Sequence, residues 1–274
     1  MKTTLIVLGL SLLLATTATF AGTACPVGGS TGPTVVPADG RIVDFDFVAA
    51  SGNNFYQVDV TKGHSYSIEV RQDYDDAVTT NNFVTSVYDV AGGGACAGPL
   101  AVSAATGSAT AGVRDTSAMD PALPLNSFRG SIIATATGTY KIQVHNNDAS
   151  TGHYVSVSVS ETTLYSASFT VNPPTNTFYA FSNTSSQAVS GTLTLTTLGA
   201  GSKSFNQNIG PIPAGGSLGS DTTANNFPTI GSPHGGSAIF AHDGPPSSIS
   251  AVSVVSNFAG FTNNVLFAPI RERR

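Results

Sequence analysis

The chain has 274 residues, and its charged residues are only 10% of the total, against about 25% in ordinary soluble domains. The formal net charge is −5. A surface this poor in Lys and Arg excludes a polyphosphate binder, because nucleic-acid affinity rests on neutralised phosphates, so no nucleic-acid partner is expected.

The N-terminus has the three parts of an export signal. Lys2 supplies the positive start, Leu5 to Leu14 is an unbroken apolar and small-residue run, and a small-residue stretch ends at Ala21. Thr19 and Ala21 fit the small positions before a cleavage site, so cleavage is expected after Ala21, leaving 253 residues. The apolar run is about half the roughly 20 residues needed to span a bilayer, and no later stretch is apolar enough. A secreted chain with no transmembrane segment is therefore expected. Lipidation of Cys25 is the competing reading, but Gly22 occupies the position where a lipoprotein signal has Leu.

Cys25 and Cys96 are the two cysteines. In an exported chain they are expected to form a disulfide, closing a loop worth about 4 kcal/mol in the chain-entropy account. No His stands at zinc-ligand spacing beside either.

Residues 22–40 read as an extended leader. Period-two alternation, the mark of strands with one buried face, begins after Gly40. From Arg41 to Phe47, the expectation is that Val43, Phe45 and Phe47 share a face opposite Asp44 and Asp46. Tyr56, Val58 and Val60 alternate with polar residues, as do Tyr66, Ile68 and Val70. Thr61-Lys62-Gly63 between them suggests a hairpin. Further strands are expected from Phe83 to Val90, Gly130 to Ala136, Tyr140 to Val144 and Tyr154 to Ser160, with a long irregular connection over 97–127.

In the second half the expected strands are Ser166 to Val171, Thr177 to Ser182, Ala188 to Leu195, Ser204 to Ile209, Ser237 to His242, Ile249 to Phe258 and Asn264 to Ala268. Asn172-Pro173-Pro174, the stretch from Ile212 to Gly216, and Asp243-Gly244-Pro245-Pro246 are strong turn signals. Residues 30–163 carry 13 acidic and 6 basic side chains, whereas residues 164–274 carry 3 and 4. That shift supports two domains, over 41–162 and 163–274. The fold class expected is all-β, with two jelly-roll-like β-sandwich domains after a signal peptide.

The segments "AASGNNFYQVDVTKGHSYSIEV", "VYDVAGG" and "ATGTYKIQVHNNDASTGHYVSVS" resemble, in order and spacing, the bacterial pre-peptidase C-terminal (PPC-like) domain over roughly residues 35–160. The stretch between Gly94 and Arg129 departs from that family's compact pattern. The resemblance implies a small jelly-roll-like sandwich that accompanies secreted enzymes without being catalytic. Some relatives bind polysaccharide or extracellular matrix, and some use calcium. The second half resembles C-terminal modules of secreted bacterial proteins in "SNTSSQAVSGTLTL", "IPAGGS" and "AHDGPPSSISA", with no activity implied.

For catalysis the residues offer little. His64, His145, His153, His234 and His242 read as surface histidines, and Gly-x-Ser-x-Gly is absent. His242-Asp243 is read as a strand end and turn, with Asp243 bonding its own backbone, rather than as an acid–base pair. Asp73, Asp75 and Asp76 on one loop are candidate calcium ligands, though they lack the spaced EF-hand pattern. Asp44 and Asp46 are weaker ones. With no Trp in the chain, Tyr74 and Tyr88 are the candidate sugar platforms. Asn183-Thr184-Ser185 fits a glycosylation acceptor and is given no role. These readings lead to a secreted, non-catalytic binding or surface-structural protein, without a required cofactor, whose partners are polysaccharide or extracellular protein. An accessory protein of a secreted hydrolase, an unrecognised hydrolase, and self-assembly through strand edges are the alternatives.

Overall fold

A computed structural model describes residues 33–72, 83–89, 101–103, 113–115, 127–223, 225–256, 261–266 and 268–269. The signal segment, Cys25, Cys96, Asp73, Tyr74, Asp75 and Asp76 lie outside these residues. The described chain is all-β, with no helix.

Among the described residues, ten strands build the first half: β1 (Thr34–Val35), β2 (Asp39–Val48), β3 (Asn53–Val60), β4 (Ser65–Gln72), β5 (Phe83–Asp89), β6 (Ala101–Ser103), β7 (Val113–Asp115), β8 (Ser127–Ile133), β9 (Gly138–Asn146) and β10 (His153–Glu161). They form two sheets, ordered β1-β3-β9-β5-β6 and β2-β10-β4-β8-β7. The apolar positions of the alternating strands meet between the sheets. Tyr56, Val58, Tyr140, Ile142 and Val144 come from one, Ile68, Val70, Val155, Val157 and Val159 from the other, and all are buried.

Three expectations change. β3 and β4 are not a hairpin: β3 pairs with β9 in one sheet, and β4 pairs with β8 and β10 in the other. The Thr61-Lys62-Gly63 turn therefore carries the chain from sheet to sheet. On β2, a bulge lies between Val43 and Asp46, and the extra residue flips the face that follows. Val43 opposes the buried Val157, Asp46 opposes the buried Val155, and Phe47 points outward beside Tyr154. The described end of the extended leader forms one short strand. Thr34–Val35 pairs in parallel with Tyr56–Gln57, and Val36 enters the core. Finally, the stretch expected to be an irregular connection, 97–127, holds β6 and β7.

Only Thr162 and Thr163 separate the halves, and both are buried. The second half contains β11 (Leu164–Asn172), β12 (Thr175–Asn183), β13 (Val189–Thr197), β14 (Ser204–Ile212), β15 (Ser217–Asp221), β16 (His234–His242), β17 (Ile249–Ser256), β18 (Phe261–Leu266) and β19 (Ala268–Pro269). Hydrogen bonds link them in the order β14-β13-β16-β11-β12-β17-β18, with β15 beside β12 and β19 beside β11. β11 and β12 share only two residue pairs at their hairpin and then part into two layers. Phe181 of β12 meets Phe240 of β16 between the layers, with ring centroids 4.3 Å apart. β15 was not expected from the sequence. Its Gly-Ser pattern hides a strand that pairs with Phe178–Ser182.

Candidate binding face

The face of β10 opposite the core follows from its sequence, since period two points Val155, Val157 and Val159 inward and Tyr154 and the serines the other way, where Tyr154 is exposed, Ser158 and Ser160 are half-buried and Ser156 is covered. Tyr154 is 50% exposed and Phe47, directly opposite on β2, is 53% exposed. Their rings stand edge to face, with centroids 5.2 Å apart and planes at 61°. The pair forms a two-walled apolar notch rather than a flat strip. Ile42, 55% exposed, continues the face on β2.

Backbone geometry holds the notch. The Phe47 ring lies over Gly152, where a Cβ would come within 2.1 Å of Cζ, so only glycine leaves the ring this seat. The fully buried Asn146 carboxamide donates to the carbonyls of Val48 at 3.3 Å, Ala49 at 3.2 Å and Thr151 at 2.9 Å. Those carbonyls follow Phe47 and precede Tyr154, so one side chain sets both ring-bearing segments. Asn54 Nδ2 donates to the Phe47 carbonyl at 3.3 Å.

Beside the notch, the loop before His153 presents exposed Ser150 and Thr151. Asp148 organises it, accepting from the Ser150 N–H at 2.8 Å, the Ser150 hydroxyl at 2.7 Å and the Thr151 N–H at 3.0 Å. Its other oxygen lies 3.2 Å from His153 Nε2. Ser150 above all, then His153, hold the Asp148 carboxyl well below the usual carboxylate range.

The histidines are not all superficial, contrary to expectation. His153 and His242 are 3% and 1% exposed, because alternation carries each onto the inner side of its strand. Ser150, Asp148 and His153 do not form a hydrolase triad, because the carboxylate stands between hydroxyl and imidazole, whereas catalysis needs the imidazole between. At the junction of the halves, His64 Nδ1 lies 2.8 Å from Glu161 Oε1 and 2.9 Å from the Tyr165 hydroxyl, which also bonds Glu161. Burial pushes the Glu161 carboxyl up, but the bonds from His64 and Tyr165 bring it below its ordinary value. Burial, then Glu161, raises the Tyr165 phenol. The three groups satisfy one another across the junction. Asp243 accepts from the Ser190 N–H at 2.7 Å.

Asp46 faces inward near Tyr56, whose phenol is raised by burial and then by the Asp46 charge. Of the sugar platforms, Tyr88 stands on β5 and Tyr74 lies outside the described residues. Among the described residues, no three His, Cys, Asp or Glu side chains converge as metal ligands, and the candidates Asp73, Asp75 and Asp76 are not among them. Asn183 is 2% exposed with its amide bonded to three carbonyls, so the folded chain does not offer it as a glycosylation acceptor. No helix of the described residues is long and apolar enough to cross a membrane.

The fold thus defines an all-β, sandwich-built protein with an exposed aromatic notch. No family model and no curated protein matches the chain. Among solved structures, a periplasmic inhibitor of g-type lysozyme from Aeromonas hydrophila is similar over 47% of this chain and 96% of its own, at 17% identity and a TM-score of 0.29.

Proposed function

We propose that the chain is an exported, non-catalytic binding protein whose first sandwich grips an extracellular polysaccharide in the Phe47–Tyr154 notch. The single observation that carries this reading is the notch itself: two large rings, each about half exposed, held in place by a buried Asn146 and a glycine seat. Aromatic faces take the C–H faces of sugars, and Ser150 and Thr151 offer hydroxyls beside them. The acidic excess of residues 30–163 disfavours a polyanion, so the polymer is uncharged. Export rests on the N-terminal signal pattern, and the PPC-like resemblance of the first half agrees with a non-catalytic role.

The test is a glycan and matrix-protein array probed with the secreted chain and with Gly152→Ala, which pushes the Phe47 ring from its seat, and Tyr154→Ala. Binding to neutral polysaccharide, weakened about tenfold or more in both variants with little change in melting temperature, is the expected result. Retained binding by a Phe47→Ala/Tyr154→Ala double variant overturns the assignment. Binding to matrix protein alone assigns the same face to a protein partner and overturns the polysaccharide reading.

A further inference from the structure

The two halves meet over a polar seam with one histidine inside it. His242 ends β16 and is 1% exposed. Gly244 donates its N–H to His242 Nδ1 at 3.2 Å, which places the ring proton of the neutral imidazole on Nε2. The other bond runs to the backbone of Thr162 in the connector. Both partners reach the first half. The Ser131 hydroxyl donates to the Gly244 carbonyl at 3.2 Å. The Thr162 N–H donates to the Ser65 carbonyl at 2.8 Å, and its hydroxyl to the Ser65 hydroxyl at 2.9 Å. Ser65 returns its N–H to Thr163 Oγ1 at 2.8 Å. The imidazole therefore sits where the second half touches the connector and the first.

The space is tight. His242 stacks on Phe240, with centroids 5.9 Å apart and planes at 27°. A Cβ on Gly244 would come within 2.3 Å of Ser248 Oγ and 2.9 Å of Val189. The charged groups of the neighbouring elements are committed elsewhere. On the following turn, Asp243 accepts from Ser190 of β13. Before the connector, Glu161 is held by His64 and Tyr165. On β4 and β8, Glu69 pairs with Arg71 and Arg129.

We propose that His242 is an acid-operated latch between the two halves. A proton on Nδ1 removes the acceptor of the Gly244 N–H, sets two donors face to face, and frees the 243–248 turn from Ser131. Burial pushes the imidazole from 6.5 down to about 4, with the Thr162 bond acting the other way. A group depressed in this way is neutral and fitted above about pH 6.5. The latch is held there and is lost as the pH falls toward about 4.

The test uses the full secreted chain, labelled with ¹⁵N. Imidazole shifts report the tautomer and titration of His242, and amide exchange reports protection at Gly244. Solution scattering at pH 7.5 and 4.5 reports the separation of the halves. The expectation is an unprotonated Nδ1 at neutral pH and a Gly244 protection factor that falls about tenfold per pH unit between roughly 6.5 and 4. A larger maximum dimension at the lower pH should accompany it, while amides of the two cores, such as Ile142 and Phe181, stay protected. His242→Gln keeps a donor toward Thr162 but does not titrate, so its response is flat. A pH response that survives in His242→Gln, or a wild-type Gly244 amide whose protection ignores the titration of His242, overturns the latch. If the variant does not fold, coincidence of the two wild-type midpoints decides alone.

Discussion

Tyr66 and Tyr140 close matching corners of the first sandwich, each accepting a backbone N–H from the threonine five residues before it. The Thr61 N–H reaches Tyr66 at 2.8 Å, and the Thr135 N–H reaches Tyr140 at 3.1 Å. Both corners carry the chain between sheets, from β3 to β4 and from β8 to β9, at the same end of the sandwich. They also lock onto each other. Lys62 donates its N–H to Thr137 Oγ1 at 3.0 Å, Gly63 to the Ala134 carbonyl at 2.7 Å, and Ala134 to the His64 carbonyl at 2.8 Å.

Removing one phenolic oxygen leaves a partly buried N–H without its acceptor, at a cost of about 1 kcal/mol. Tyr66→Phe and Tyr140→Phe should each lower stability by that amount in urea titrations. Because the corners share bonds, the double variant should depart from the sum by about 0.5 kcal/mol or more. Strict additivity would show that the corners act independently and that the interlock carries no energy.

Where the sequence was informative, a period showed through. In "YVSVSVS" the valines and serines take opposite faces, although Ser156 is buried as well, and the same rule places Tyr154 outside. In "AIFAH" it places His242 inside with Phe240, although that histidine was expected at the surface. What failed was pairing. A turn such as Thr61-Lys62-Gly63 suits a hairpin, and nothing local reveals that the Tyr66 hydroxyl folds back and sends the next strand to the opposite sheet. The bulge on β2 was equally hidden, since one unpaired residue inverts a face without changing composition. Half of the notch, Tyr154, could thus be read from the sequence. The other half, Phe47, needed the register against β10. Asn146, which positions both, gives no sequence signal beyond that of a loop asparagine.

The loop beside the notch should respond to acid through Asp148. Its carboxyl is held below the ordinary value of 3.8, first by Ser150 and then by His153 and Thr151. A depressed carboxyl contributes stability that is present above its unfolded value and is lost as the pH falls below it. The melting temperature of the wild-type chain should therefore drop more steeply between about pH 4 and pH 2 than that of Asp148→Asn, which has no carboxylate to neutralise. At pH 7 the variant should be the less stable of the two. Parallel melting curves across that range would show that the Asp148 bonds are too well solvated to matter.

Asn183 does for the second sandwich what Asn146 does for the first. Its Nδ2 donates to the carbonyls of Gln187 at 2.7 Å, Ile212 at 2.9 Å and Pro213 at 3.1 Å, while Oδ1 accepts from the Ser185 N–H at 2.9 Å. One amide thus ties the loop after β12 to the turn where β14 crosses toward β15. Asn183→Asp preserves the shape and inverts the electrostatics, setting a carboxylate oxygen against three carbonyls with both donors gone. The cost at neutral pH should be about 3 kcal/mol, the scale of an uncompensated buried charge. Protonation restores one donor, so the introduced carboxyl has a raised value in the folded state. The deficit relative to wild type should accordingly shrink as the pH falls from 7 to about 4.5. Urea midpoints of both proteins at the two pH values measure this difference and cancel the titration of His242, which they share. A deficit that stays constant or widens in acid would mean that the carboxylate escapes to solvent, and that the three carbonyls are held by something other than this side chain.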